Sequence, residues 1–223
     1  MGEYHIRTYE DRDYEAVRAI FSHGILEHAP AGCWHVLRCP QTHLLLLAIF
    51  YVAYAVSASL LFAGGVVAAL LAVGWVRMKG IWAEYVEAAL AEDMGDIRKT
   101  YLEAKDSCFW VVTSREEVVG MVAAVQPEDP SQQDVALELK RMSVAKPHRG
   151  RGLSKALTRT VIRFAQERGY KEVVLGTSMV QLAAQRVYEG MGFRKVRAKS
   201  PSFLAKLLQF YVYYYRYEIA GSR

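Results

Sequence analysis

The chain has 223 residues, a formal net charge of +5 and a pI of about 9.0, and 52% of its residues are hydrophobic. That length allows one well-buried domain plus an extra segment. The basic balance suits an anionic ligand or an anionic membrane surface. With no Arg/Lys-rich tail, nothing marks the chain as nucleic-acid binding, and none is expected as a partner.

Near the N-terminus, Glu3, Arg7, Glu10, Asp11, Arg12 and Asp13 interrupt any apolar core, so a cleavable signal peptide is not expected. Tyr4 to Tyr9 alternates as a short strand does. Asp11 or Asp13 is placed to cap a helix carrying Val17, Ile20, Phe21, Ile25 and Leu26. Pro30 to Pro40 reads as a connector. From Leu44 to Val76 there is no charged residue. This run is too long for a core strand, and it ends at Arg77 and Lys79. As one straight helix it would span about 50 Å, well beyond a hydrocarbon core of about 30 Å. A membrane hairpin with both ends in the cytosol is therefore expected, turning at Ala63-Gly64-Gly65. Residues 42–76 are read as the membrane-anchoring insertion, and 1–41 with 77–223 as the remaining domain.

A second helix is expected from Ile81 to about Leu102. Cys108 to Thr113 and Val118 to Val125 read as strands around an Arg115-Glu116-Glu117 turn, and Val135 to Val144 as a long strand. Gly152 to Arg168 is an amphipathic helix stopped by Gly169. Glu172 to Leu175 reads as a strand, Val180 to Met191 as a helix ended by Gly192, and Phe210 to Ile219 as an aromatic-rich strand. The Tyr211–Tyr217 cluster suits ligand stacking, but it better fits a terminal strand with one face in the core and one near the membrane interface. The order is a mixed α/β pattern around one sheet. Cys33, Cys39 and Cys108 make an odd count without disulfide spacing, so reduced thiols and a cytosol-facing fold are expected. Their spacing with the nearby histidines fits no zinc pattern, and no metal is expected. Cys39, beside the apolar run, is a candidate for palmitoylation.

Arg149-Gly150-Arg151-Gly152-Leu153-Ser154 lies between a strand and a helix. Glycines let the backbone approach a ligand, and the helix start adds partial positive charge, so the turn suits a pyrophosphate. His148, Arg149, Arg151 and Lys155 add formal charge. The plain alternative is a basic turn capping a surface helix.

Arg149-x-x-Gly152-x-Ser154 after a long strand resembles the cofactor signature of the GNAT acetyltransferases, with Ser154 in place of a third Gly or Ala. Gln181-x-x-Ala184-x-x-x-Tyr188-x-x-x-Gly192-Phe193 resembles the family's later motif, with Gln181 in place of Asn. The hydrophobic insertion after the first helix resembles the camello-type group. So do Glu27-His28-Ala29-Pro30, Ser107-Cys108-Phe109-Trp110-Val111, Val118-Val119-Gly120-Met121-Val122 and Leu153-Ser154-Lys155-Ala156-Leu157. The resemblance implies an α+β acetyltransferase fold whose mixed central sheet is split like a V, with acetyl-coenzyme A in the split as co-substrate. It implies cofactor contacts from Met142, Ser143, Val144, Arg149, Gly150, Arg151, Gly152, Leu153, Ser154 and Gln181.

Acetyl transfer to an amine needs a neutral amine, a stabilised oxyanion and a thiolate able to leave. Glu138, on the strand leading to the loop, is the candidate base, matching the position of the glutamate in histone-acetylating relatives. Otherwise it lies on a solvated strand face, paired with Lys140 or Arg141. Tyr188 is the candidate acid for the thiolate, or else an aromatic on a buried helix face. The oxyanion donor is expected to be an amide between Met142 and Val144. The resemblance further implies a small amine acceptor, a cysteine S-conjugate, and the endoplasmic-reticulum membrane with the catalytic domain on the cytosolic side. The alternatives are a protein lysine or N-terminal acetyltransferase, and a non-catalytic coenzyme-A-binding membrane protein.

Overall fold

The computed structural model describes residues 4–219. Seven strands form one mixed sheet: β1 (Tyr4–Thr8), β2 (Cys108–Ser114), β3 (Glu117–Val125), β4 (Ala136–Val144), β5 (Glu172–Ser178), β6 (Arg194–Lys199) and β7 (Val212–Glu218). Their spatial order is β1-β2-β3-β4-β5-β7-β6. Only β4 and β5 run parallel. Phe109 to Val112 of β2 and Val119 to Ala124 of β3 are buried throughout, because both faces of the sheet centre are covered.

One face carries α5 (Leu153–Glu167), whose Leu153, Leu157 and Val161 pack with Leu137, Leu139 and Tyr215. The other carries α1 (Tyr14–Leu26) and the end of α4 (Leu60–Ala91), where Val17, Phe21 and Val86 meet Phe109, Val111 and Met121. Each large apolar side chain buried this way contributes roughly 1.5–3 kcal/mol. On β7, Tyr213, Tyr215 and Tyr217 share the face turned to the α5-side core, as a period of two dictates.

Several elements differ from expectation. Ala29–Arg38 is a helix, α2, rather than a connector. Pro30 sits in its first turn and Pro40 opens the next helix, positions where a missing N–H costs nothing and the fixed φ helps. Asp13 makes no capping bond to α1; its carboxylate instead accepts from the Glu10 N–H and from both terminal guanidinium nitrogens of Arg7. The helix expected to reach Leu102 ends at Ala91, and a wide turn of helix follows at Arg98–Leu102. The β6 strand and the short helix α7 (Phe203–Leu207) have no counterpart in the periodicity.

The apolar run forms two packed helices, α3 (Pro40–Ser57) and α4, each long and apolar enough to cross a membrane. They turn at Ala58-Ser59, not at Ala63-Gly64-Gly65. Ala58 takes the left-handed conformation, φ 51°, and the Ser59 hydroxyl caps α4 by accepting from the Phe62 N–H at 3.3 Å. A cap decides the turn here, and Gly64 and Gly65 continue the helix. α4 is 32 residues long, or about 48 Å at 1.5 Å per residue, and runs without a break past Val76 into the second core. The boundary expected at 76/77 therefore falls inside a continuous helix.

Candidate active site

The parallel ladder between β4 and β5 is short. Ala136, Leu137 and Glu138 face Glu172, Val173 and Val174, and no further pairs form although β4 continues to Val144 and β5 to Ser178. Beyond Glu138 the strands diverge and open a cleft, with Glu138 at its apex. Leu137 and Leu139 point into the α5-side core, so Glu138 faces the α1/α4 side. Burial raises its carboxyl pKa, which the Lys140 ammonium, 3.8 Å away, only partly offsets.

A bulge next bends β4. Met121 pairs with Ser143 and Ala123 with Lys140, so Arg141 and Met142 together oppose one residue of β3. Arg141 has φ 55°, left-handed backbone for which a non-glycine residue pays roughly 1–2 kcal/mol. Its side chain holds the bulge in place. It donates to both oxygens of Asp93 at 2.6 and 2.8 Å and to the Tyr85 hydroxyl at 3.2 Å, and lies over the Phe21 ring at 4.9 Å. Asp93 also accepts from the Tyr101 hydroxyl. Arg141 thus pairs with Asp93 and not with Glu138. Sequence reasoning missed this cluster; the available signal was two adjacent cations, Lys140 and Arg141, breaking the strand alternation.

The opposite edge of Met142-Ser143-Val144, away from β3, lies on the cleft. The Met142 sulfur meets the Thr158 hydroxyl, and Ser143 Oγ donates to the Ile20 carbonyl at 3.3 Å. α1 comes so close that a Cβ on Gly24 would stand 2.4 Å from that Oγ.

The loop after β4 leads into α5 with Gly150 at φ 76° and Gly152 at φ 80°. Open space lies where their Cβ atoms would be. Gly152 is the N-cap of α5 and has no side chain to cap it, so the first-turn N–H groups from Leu153 onward keep their donors available. Leu153 is buried against the core, and Ser154 accepts through its carbonyl from Thr158. Arg149 bonds the Val144 carbonyl at 2.8 Å and Glu27 at 2.6 Å, bracing the end of β4 against the end of α1. Arg151 reaches the Tyr4 hydroxyl at 2.8 Å, which in turn lies 3.1 Å from His148 Nδ1.

On the other arm, Gln181 precedes α6 (Leu182–Glu189), and its side-chain Oε1 accepts from the Thr177 hydroxyl at 2.9 Å and the Ser178 N–H at 3.0 Å. Tyr188 on α6 is buried between Phe193 and Tyr215, at centroid distances of 5.6 and 6.2 Å. Its hydroxyl has no hydrogen-bond partner among the described residues. Burial raises its pKa, so the hydroxyl stays protonated at working pH. Cys39 is also buried, its thiol 3.1 Å from the Leu208 carbonyl, and offers no free surface for a lipid chain.

A sheet split below a bulge, with an open, glycine-bounded helix start beside the split, is the arrangement expected of an acyl-coenzyme-A-dependent transferase. Residues 75–193 match the model of the acetyltransferase (GNAT) family. The chain is 40% identical to human N-acetyltransferase 8B, over all of this chain and 98% of that one. It is 44% identical to mouse N-acetyltransferase family 8 member 3, over 93% of this chain and 92% of that one. A GNAT-family acetyltransferase from Staphylococcus aureus Mu50 shares the fold, with a TM-score of 0.56 at 16% identity, over 97% of this chain and 99% of that one. The chain belongs to the GNAT acetyltransferases, in their camello-like N-acetyltransferase 8 group, and is an enzyme that takes its acetyl group from acetyl-coenzyme A.

Proposed function

We propose that the enzyme acetylates the amine of a small amino-acid derivative, a cysteine S-conjugate, at the surface of the endoplasmic-reticulum membrane. The observation that carries the membrane part is α4, which joins an apolar hairpin arm to the catalytic core without a break. Residues 42–76 anchor the chain, the domain made of 1–41 and 77–223 faces the cytosol, and the free thiols of Cys33, Cys39 and Cys108 suit a reducing compartment. An amphipathic conjugate partitions into the bilayer and meets the cleft at its edge. The substrate class is what the resemblance implies; the related N-acetyltransferases support transfer to an amine.

In the mechanism, the pyrophosphate lies against the amides of Gly150 to Ser154 and the pantetheine in the cleft between β4 and β5, beside Met142, Ser143 and Val144. Gln181 and the cations of Arg149 and Arg151 line the same course. The amine nitrogen attacks the thioester carbon directly. Glu138 takes the amine proton, an amide between Met142 and Val144 donates to the oxyanion, and the C–S bond breaks. Tyr188 hydrogen-bonds the departing thiolate and supplies its proton. The support is the apex position and partial burial of Glu138, whose side chain is 22% exposed, and the protonated hydroxyl of Tyr188, which has no partner among the described residues. An α-amine near pKa 8 is about 3 kcal/mol easier to deprotonate than a lysine near 10.4, so a single partly screened carboxylate suffices for it.

The test is an acetylation assay on the full chain in detergent, with labelled acetyl-coenzyme A and a panel of cysteine conjugates, free amino acids, lysine peptides and N-terminal peptides. Preference for the conjugates is expected. Preference for either peptide set makes the protein a protein acetyltransferase instead, and no transfer with retained coenzyme A binding makes it a non-catalytic binder.

A further inference from the structure

α7 lies in the connection between β6 and β7. Its Phe203, Leu204 and Leu207 are 84%, 60% and 51% exposed. The helix is preformed: Ser202 Oγ accepts from the Ala205 N–H at 3.1 Å, and Gln209, at φ 52°, turns the chain off its end. A fixed helix with an apolar face in water calls for a covering surface.

Its position says what that surface is. The Leu208 carbonyl, just past α7, accepts from His35 Nε2 at 2.9 Å and Cys39 Sγ at 3.1 Å, and Phe210 packs against the His35 ring. Cys39 is the residue from which α3 starts. The end of α7 is therefore tied to the point where the first apolar arm begins. Trp34 with Arg38 over its ring at 5.6 Å flanks that point on α2, and Trp75 with Lys79 at 5.1 Å lies opposite it on α4. Aromatic bodies with cationic tips are the side chains that settle at a bilayer interface. β6 leads into α7 with Arg194, Lys195, Arg197 and Lys199 all exposed, and Lys206 follows on α7. None of these five pairs with a carboxylate among the described residues; Lys195 turns its ammonium onto the Tyr213 ring at 3.7 Å, which leaves Arg194, Arg197, Lys199 and Lys206 to face outward. They complement anionic headgroups.

We propose that α7 is a third membrane contact, lying in the headgroup–acyl boundary of the leaflet the hairpin enters, with Phe203, Leu204 and Leu207 inserted and the β6 cations over anionic lipid. This rests on the hairpin reading above. It makes the enzyme a two-point attachment, a hairpin through the bilayer and a foot on it, and the foot fixes the tilt of the catalytic domain.

The test uses the full chain in vesicles of mixed zwitterionic and anionic phospholipid, with Cys108→Ser and an environment-sensitive fluorophore on one introduced cysteine. The positions are Leu204→Cys, Val52→Cys and Glu167→Cys. Val52 is exposed on α3, about 18 Å along the helix from Pro40, and Glu167 is exposed on α5. Retained coenzyme A binding shows that each variant is folded. The label at Leu204 should emit at shorter wavelength and lose more intensity to a nitroxide near the headgroup than to one near the acyl terminus. The label at Val52 should show the opposite order, and that at Glu167 neither loss. An unquenched Leu204 beside a quenched Val52 overturns the foot and leaves the hairpin standing. A shift to shorter wavelength at Leu204 without quenching means that protein, such as a second copy, covers α7, and also overturns it. An unquenched Val52 removes the hairpin reading, and the foot with it.

Discussion

Glu138 shows how a single residue can be read through the opposite signs of its two effects. Burial raises its pKa, so its ionised form is disfavoured in the folded state. The neutral form gives stability that is fully present below the unfolded value and is lost as pH rises through the folded one. Glu138→Gln should therefore leave the protein no less stable at neutral pH, and raise its melting midpoint, while lowering kcat about 10²- to 10⁴-fold. The wild-type acid limb of kcat/KM should lie above the ordinary glutamate range and vanish in the variant. A parallel fall in melting midpoint and activity would mark a structural glutamate. Tyr188→Phe should lower kcat more than it raises KM, because the bond to the thiolate develops as it leaves; unchanged kcat would return the residue to core packing. Gly152→Glu puts a charge and a strained φ of 80° into the open space before α5, and coenzyme A affinity, followed by titration, should be lost. These residues stood out in the sequence through the motifs by which the chain resembles its family. Arg141 and Asp93 were not, because 48 residues separate them and only the bulge brings them together.

Elements were legible where one period governs them. α5 carries a clean 3.6-residue pattern and β5 alternates, while β2 and β3 stand out as short apolar runs bounded by turn residues, and the sequence placed β2 to β5 and α5 to within a few residues. α2 was lost because Pro30 and Pro40 look like breakers, yet Pro30 sits in the first turn of α2 and Pro40 opens α3, and β6 because Arg194 to Lys199 is exposed throughout and held mainly by backbone pairing to β7. The length of α4 escaped too, since Arg77 and Lys79 suggest an end, whereas the helix continues to Ala91. Where it ends, Asp93 locks to Arg141, whose side chain is only 12% exposed. Burial alone would raise the Asp93 pKa, but the bonds from Arg141 and Tyr101 outweigh it and lower it. Its stabilisation is present above the unfolded carboxylate value and is lost as pH falls through the folded one. Asp93→Ala should cost about 3 kcal/mol, because it strands a buried guanidinium. Adding Arg141→Met should recover much of that, measured as the urea midpoint of the full chain in detergent. Additive losses would mean that the two residues do not act as a pair.

At the scale of the molecule, sheet and hairpin constrain each other. β1 lies before the apolar run and pairs with β2, after it, from Tyr4 opposite Ser114 to Thr8 opposite Trp110. A single crossing would put these strands on opposite sides of the bilayer and break the edge of the sheet. The hairpin avoids this. Its turn at Ala58-Ser59 gives α3 18 residues, about 27 Å, close to a hydrocarbon core of about 30 Å. The matching length of α4 ends near Arg77, so Arg38, Arg77 and Lys79 lie at one level, with cations at both mouths on the same side. At the tip, the Ser57 hydroxyl donates to the Ala53 carbonyl at 2.7 Å and Ser59 caps α4, which satisfies part of the backbone that a membrane boundary would otherwise leave unpaired. The prediction is that glycosylation acceptor sites added at the N-terminus and at the C-terminus both stay unmodified in microsomes, while a site inserted between Ala58 and Ser59 with flanking spacer residues is modified. Modification of only one terminus would mean a single crossing, incompatible with the β1–β2 pairing. An unmodified tip beside unmodified termini would mean that the hairpin enters the membrane without reaching the far side. In that case the helices would lie tilted in one leaflet, and the catalytic domain would remain a single intact sheet on that side of the bilayer.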